Sequence, residues 1–583
     1  MNKKDKLKWM ALGILLLTTA VVAVTFVIVS RLSQTAEKDH AKMEEEHLAV
    51  PDDGMLPNAY IVKNEDNNLI ILYHGKKYIA KETAETNYTG VADILLSNGK
   101  IVKIYAKSGN VKGTLASYSD KSIQIEGYEV LSREAEMPVY KIATDIRAEE
   151  AVREGRLSDL VIGNSTVELV VANQKACAII CYQNEIADNI RVLIKNKEQT
   201  CYPDILVSSN KNFTVDGEEQ KKNTLVSAEM LLNKEKSGKE IRISPQDGGM
   251  LFLCDSKGKR QGEGYEGDMI YRKAKDGYIL INELPIEDYV RYVLPSEMPI
   301  SFDYEALKAQ AVCARTFAYK QMRGNAYAEY GANLDNTTSF QVYHAAGCYD
   351  ITDRAVSDTR GMVLTYQGEL VDCYYYSTSP GYSENLEVWQ KDSPGYLTAE
   401  NHTKGRTVNL SRKRAFHRFI KKKTDAYDEN SPYFRWTATI SSKLGMDEQY
   451  GRLKKIKINK RSKSGYILSL TMVFEDGEKT LERENDIRFA LGKYLLSLKL
   501  ADGTKKTGIS SVPSACFEIK SQKNGTITLT GGGFGHGIGL SQYGANGMGC
   551  EGKKWQEILS YYYKNTEISN VFDLDTETDS VLE

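Results

Sequence analysis

The sequence predicts an α+β protein: a β-rich, multidomain extracytoplasmic region with a few helices around a cleft, following one N-terminal transmembrane helix. Three observations predict it. A run from Trp9 to Ser30 carries no charge. From about residue 58 the chain falls into short alternating segments broken by Gly, Asn and Asp, the pattern of strands and turns. Helical spacing of apolar residues is confined to a few stretches, chiefly 302–323 and 553–563.

The N-terminal run is 22 residues long, enough to cross a bilayer as a helix. Lys3, Lys4, Lys6 and Lys8 precede it, and Glu44, Glu45 and Glu46 follow. Positive-inside logic then places the first residues in the cytoplasm and everything after Arg31 outside, as a single-pass protein of the cell membrane. The segment TTAVVAV also fits a cleaved signal peptide, so that alternative stays open. Residues 31–57, which include PDDGMLP, read as a linker. Residues 58–188 read as a β-rich accessory region, with strands such as NLIILYHGKKYIA, GKIVKIYAKSG and STVELVVANQKACAIICY. Residues 189–570 form a second, larger region, and 571–583 a tail. In the larger region strands are expected through GYILINELPIEDYVRYVL, and a helix from Phe302 to about Arg323. A basic, mixed stretch runs from 400 to 500, a Gly-rich turn spans 525–540, and an amphipathic helix covers 553–563.

Composition excludes some classes. With 583 residues the chain holds material for roughly three to four domains. A net charge of -2 gives no overall attraction to nucleic acid, and none is expected as a partner. The nine cysteines are an odd count without repeated CxxC pairs, so neither a zinc ribbon nor a dense disulfide scaffold is expected. Cys177 and Cys181 lie four apart on a strand, where such spacing rarely closes a bridge.

Three segments can carry chemistry. In LPSEMP two prolines bracket Ser296, Glu297 and Met298. A short Pro-bounded loop with apolar Leu294, Met298 and Ile300 would hold one carboxyl rigid and dry, which is what a general acid needs. On the following helix Lys308 and Arg315 are two turns apart on one face, where they can present cations to a cleft. Cations close to Glu297 would stabilise its ionised form, so either they point at substrate oxygens or apolar packing on Glu297 outweighs them. The second segment, STSPGYSEN with Trp389 beyond it, clusters Ser377, Ser379, Glu384 and Asn385. The third, TGGGFGHGIGLSQYGA, sets His536 and Gln542 in a glycine run that lets backbone approach a ligand. It lacks the phosphate-loop pattern, and no GxSxG elbow is present. A serine nucleophile, Ser377 or Ser379 with His536 as base, remains an alternative.

Together and in this order, these segments resemble the SpoIID/LytB family, specifically the stage II sporulation protein D lytic transglycosylases. The resemblance runs from about Ile190 to Ile568. It includes ELPIEDYVRYVLPSEMP, EALKAQAVCARTFAY, the QVY at Gln341–Tyr343, the STS…EN loop, SPYFRW, NDIRFALG and GFGHGIGLSQYGANGM. The resemblance implies cleavage of peptidoglycan between MurNAc and GlcNAc with a 1,6-anhydro product, on strands stripped of stem peptides. It implies Glu297 as acid/base, and Lys308, Arg315, Gln341, Ser377, Ser379, Glu384, Asn385, His536 and Gln542 as substrate-binding residues. It also implies peptidoglycan strands, a wall amidase and other engulfment proteins as partners, with no cofactor. Some members hold zinc through cysteines near QVY; Phe340 precedes Gln341 here and 335–339 contain no Cys, so no metal is expected. Many members read HSTSGG where this chain has Tyr376 to Gly381 with Pro380. The alternative within the family is a non-catalytic wall-binding protein that enhances an amidase.

Overall fold

The computed structural model describes residues 48–573, except 64–67, 82–87, 144–150, 183–186, 197–198, 235–239, 325, 344–346 and 423. The expected membrane span at 9–30 therefore lies outside the described residues. Among the described residues no helix is long and apolar enough to cross a membrane. The fold is α+β and strand-rich, as expected. Its helices are α1 (Ala228–Leu232), α2 (Ile286–Glu297), α3 (Tyr304–Gly324), α4 (Asp350–Asp358), α5 (Lys413–Lys421), α6 (Glu484–Gly492), α7 (Gln542–Cys550) and α8 (Trp555–Tyr562).

Two compact units divide the chain. The first takes 1–111, 136–155 and 168–183; the second takes 112–135, 156–167 and 184–583. In the first, a six-stranded sheet is ordered Leu48–Ala49, Lys76–Lys81, Asn68–Tyr73, Gly54–Lys63, Gly90–Ser97, Lys100–Ala106. Successive side chains of a strand point to opposite faces. Ile71 accordingly joins a core with Ile61 and Ile94, while Ile70 joins another with Tyr140, Val152 and Ile180. Covering both faces explains why NLIILY is a continuous apolar run rather than an alternating one.

In the second unit a seven-stranded sheet includes the antiparallel pair Asp268–Ala274 and Gly277–Pro285, and Asn189–Leu193 beside it. The strand Gly277–Pro285 feeds directly into α2. Here the structure corrects the expected strand through IEDYVRYVL. Its Tyr and Val content suits a strand. Yet Ile286, Tyr289, Val290, Val293 and Leu294 are all buried at helical spacing, and Glu287 and Asp288 occupy the first turn, where the helix dipole favours acids. Helix α3 runs through the middle of the main core; every residue from Ala309 to Tyr319 is buried. A second core gathers Trp436, Ile440, Leu470, Leu498 and Leu529 with Ile487 and Leu491 of α6. Both cores contribute walls to one cleft.

Candidate active site

Glu297 is not in a loop, as its flanking prolines suggest, but is the last residue of α2. Pro295 lies inside the last turn and is tolerated there. The second proline, Pro299, ends the helix. A residue before proline is pushed out of the helical region, and Met298 is extended at φ -128, ψ 133. The carboxyl is thus delivered rigidly at the helix end.

It opens into a cleft of about 780 Å³. Around it, Val342 N donates to Oε1 at 2.6 Å, and the side chains of Tyr375 and Gln542 also bond the carboxyl. These three donors favour the carboxylate. Burial outweighs them and pushes the pKa up to about 7. The negative end of the α2 dipole acts in the same direction as burial. The group can therefore hold or release a proton near neutral pH, with donors already aimed at the charge it carries once the proton has left.

The QVY motif supports this carboxyl from behind. Gln341 is fully buried. It accepts from the Tyr289 hydroxyl at 3.1 Å and donates to the Tyr375 hydroxyl at 3.2 Å and to Ala314 O at 3.3 Å. Tyr343 stacks on Tyr289 with ring centroids 5.1 Å apart. Gln341 was expected on the substrate; it instead orients Tyr375, which touches the acid. Tyr375 is the residue that motif reading missed, because it sits in an unremarkable aromatic run, DCYYYS.

The glycine run is explained by close packing. Tyr375 and Tyr376 pair in parallel with Leu540 and Ser541. With φ at +111 and +73, Gly535 and Gly539 are left-handed, and a Cβ there would collide with Tyr376 and with Tyr374 O respectively. His536 lines the cleft, but both nitrogens are engaged. Nε2 donates to Tyr375 O at 3.0 Å and Nδ1 accepts from Ile538 N at 3.1 Å. Burial first, then Arg488, lowers its pKa to about 3. It is a neutral strut, so the serine-nucleophile alternative lacks its base. Ser379 is buried, donating to Tyr382 O at 3.2 Å and accepting from Gly381 N at 3.0 Å. Ser377 does line the cleft.

Four further expected substrate contacts are corrected by the geometry. Arg315 is fully buried, bonds Glu287 through Nε at 2.8 Å and Nη2 at 2.7 Å, and caps the carbonyls of Met362 and Val356 at 3.2 Å. Its neighbours on α3 explain this: a helix buried on all sides has no solvent face to present. Lys308 pairs with Glu305 at 2.7 Å and covers the Tyr304 ring. Glu384 is buried behind the glycine run, where its N–H donates to Gly537 O at 2.7 Å and Ser464 Oγ donates to its carboxyl at 3.3 Å. Burial raises its pKa to about 7. Asn385 caps the short helix Leu386–Trp389 by accepting from Glu387 N at 2.9 Å. Arg315, Lys308 and Asn385 are engaged within the protein, and Glu384 is buried with one carboxylate oxygen bonded by Ser464 and the other unpaired among the described residues.

The facing wall joins Trp389 and the NDIRFALG segment to Lys391 and Arg483, which no motif marked. Trp389 stands edge-on to Tyr374, centroids 5.1 Å apart, and next to His536. Lys391, Arg483 and Asp486 project into the cleft beside the buried pair Glu484–Arg488 at 3.0 Å. An aromatic platform, flexible charges and one acid of neutral pKa make a groove fit for a polar, ring-shaped polymer. Among the described residues no three His, Cys, Asp or Glu side chains gather to hold a metal ion.

The fold and site define an α+β protein with a helix-end glutamate opening into a strand-rich cleft, and comparison with known sequences gives the family. The profile described as Stage II sporulation protein matches residues 274–366, and a domain of unknown function (DUF8618) matches 383–539. The stage II sporulation protein D of Bacillus subtilis (strain 168) is 34% identical over 316 residues, 52% of this chain and 78% of that protein. Its counterpart in Bacillus amyloliquefaciens is 33% identical over 309 residues, 50% of this chain and 75% of that protein. The amidase enhancer of Bacillus subtilis (strain 168) is 31% identical over 303 residues, 48% of this chain and 40% of that protein. This chain belongs to the stage II sporulation protein D family.

Proposed function

We propose that this chain is a lytic transglycosylase of the bacterial cell wall, acting in sporulation or wall remodelling. It is held by its N-terminal segment in the cell membrane, with the cleft outside. The observation that carries the reading is the Glu297 carboxyl, half-buried at the end of α2 with its pKa pushed up to about 7. Protonated, it gives its proton to the glycosidic oxygen between MurNAc and GlcNAc as that bond breaks. The carboxylate left behind is held by Val342 N, Tyr375 and Gln542. It then takes the proton of the sugar's own 6-hydroxyl while that oxygen bonds C1, closing the 1,6-anhydro ring. Hydrolases commonly need a second carboxylate to activate water or to attack. Here the substrate supplies the nucleophile, so one acid suffices. Trp389, Tyr374 and Ser377 position the sugar, and the glycan stripped of stem peptides is the preferred strand.

Mass spectrometry of products from peptide-free glycan tests this, wild type beside Glu297→Gln. Wild type should release anhydro-disaccharides and the variant none. Release by both would remove Glu297 from the chemistry; release by neither, with retained binding to wall material, would favour the second reading. That reading is a wall-binding protein that stimulates an amidase, and the likeness to the amidase enhancer supports it. A wall amidase and engulfment proteins are then partners under either reading.

A further inference from the structure

The chain is nearly neutral overall, yet residues 401–424 hold nine Lys and Arg and no Asp or Glu. Helix α5 carries four of them, with Arg412 at its cap and Lys422 just beyond its end. Its apolar residues Phe416 and Ile420 point inward and are buried. Arg412, Lys413, Arg414, Arg418, Lys421 and Lys422 are all exposed, and none has an ion-pair partner among the described residues. His417, on the same helix, holds Glu518 at 2.9 Å.

The charge is also in the wrong place for helix stability. The first turn of α5 has no acid, its cap residue Arg412 makes no side-chain cap bond, and Lys413 and Arg414 follow. Cations there oppose the positive end of the helix dipole and destabilise the first turn. Beneath the helix two more guanidiniums raise the local field. Arg435 bonds the carbonyls of Ile420, Pro380 and Phe434 and the Thr424 hydroxyl; Arg461 bonds those of Gly465 and Phe517 and lies 3.8 Å from the Phe416 ring centre. Among the described residues neither bonds a carboxylate. A local rule broken repeatedly in one place marks a site with a purpose beyond folding.

We infer that α5 is a docking face for a linear polyol-phosphate polymer attached to the same wall whose glycan the cleft works on. The choice of wall material rests on the proposed function; the polyanion chemistry does not. Arg414, Arg418 and Lys422 are spaced four apart, a row of cations roughly 6 Å from one to the next. That interval suits successive phosphates of an extended chain. A bilayer is disfavoured because a helix that lies in a membrane surface needs an apolar side to insert, and that side of α5 is used by the core. Single-stranded nucleic acid is disfavoured because its binders stack bases on exposed aromatics, and of the two phenylalanines of α5 Phe416 is buried and Phe419 only partly exposed.

The test uses the full chain and synthetic poly(glycerol phosphate), with binding measured over a series of salt concentrations. Oligodeoxythymidylate and vesicles containing anionic lipid are the comparison ligands. Replacing Arg412, Lys413, Arg414 and Arg418 with Gln should weaken polymer binding at least about tenfold. It should also lower the log–log salt slope by about 3, at about 0.7 per lost phosphate contact. Changing Arg412, Arg414 and Arg418 to Lys should keep both. The Gln variant should melt no lower than wild type, since it relieves the first turn; should it fail to fold, Arg414→Gln with Arg418→Gln should lower the slope by about 1.4. No polymer binding by wild type, or unchanged binding by a folded Gln variant, overturns the inference. Tighter binding of the oligonucleotide or the vesicles also overturns it and gives the face to that partner. Because binding is read without turnover, a chain that binds the polymer yet releases no anhydro-sugar sinks only the enzymatic reading.

Discussion

Removing the Tyr375 hydroxyl is the most informative single perturbation of the cleft. The Gln341 side chain donates to that oxygen at 3.2 Å, which leaves its proton free for Glu297. A hydrogen bond to a charged group contributes about 1.5–3 kcal/mol, and 1.36 kcal/mol corresponds to about one pH unit. Val342 N and Gln542 remain in Tyr375→Phe, so the lower end of the range applies. The Glu297 pKa should rise from about 7 by about one pH unit. Since the proton donor is the protonated acid, activity falls as pH rises through that value. The alkaline limb of the rate profile should therefore move upward by the same amount, while the rate at the plateau falls because the carboxylate formed is less well held. The assay is the initial rate of anhydro-product release from peptide-free glycan. Gln341→Ala should move the limb in the same direction but less, as it acts only through Tyr375. A limb that stays in place, or moves to lower pH, would refute the assignment of Tyr375 as a donor to the acid.

Arg315→Met leaves Glu287 without its partner inside the core and should destabilise the fold by about 3–5 kcal/mol in denaturant melts, without a selective rise in KM. Lys308→Ala should cost less than about 1 kcal/mol and leave KM unchanged; a large KM effect would return Lys308 to the substrate. Trp389→Ala should raise KM roughly tenfold with little change in stability, the loss of one aromatic contact surface. Asp428 is buried, and burial pushes its pKa up to about 7 from the ordinary 3.8. Its contribution is full below about 3.8 and is lost as pH rises toward about 7. Thermal melts of wild type should accordingly fall relative to Asp428→Asn across that window, and equal slopes would contradict the burial of its charge.

What the sequence discloses depends on whether a residue's role is local. Glu297 is legible because two prolines and an apolar flank are local facts, although they suggest a loop where a helix end stands. The glycines of the third segment are legible as close approach, but the partner they approach, the Tyr374 to Tyr376 strand, lies far away in sequence. Arg315 shows the opposite failure. Spacing placed it with Lys308 on one face, yet nothing local reveals that helix α3 is buried on every side, so its cation must be neutralised inside the protein. Tyr375 has no signature at all; only folding brings Gln341 and Glu297 to its hydroxyl. Of the facing wall, Trp389 and the NDIRFALG segment are visible in the sequence, but Lys391 and Arg483 are not, since they become part of a site only when the second core is set opposite the first.

The parallel pairing of Tyr375 and Tyr376 with Leu540 and Ser541 has a consequence for how such a protein changes over time. More than 150 residues lie between Ser377 and Leu540; part of that stretch packs into the main core through Tyr382, Leu410, Phe416 and Tyr466, part builds the second core, and the chain then returns beside Tyr376. To the rest of the chain that stretch is a loop with its ends already joined, and the entropy of closing a loop grows only with the logarithm of its length. Where that stretch builds the second core rather than the main one, material can be added, trimmed or exchanged at smaller cost to the rest of the fold. The proton donor and its three hydrogen-bond partners all lie outside the stretch, and Trp389, Arg483 and the α5 face all lie within it. On the proposed function, the acid and the residues offered for recognition sit on separate pieces of one polypeptide, so the recognition face can change while the acid stays as it is.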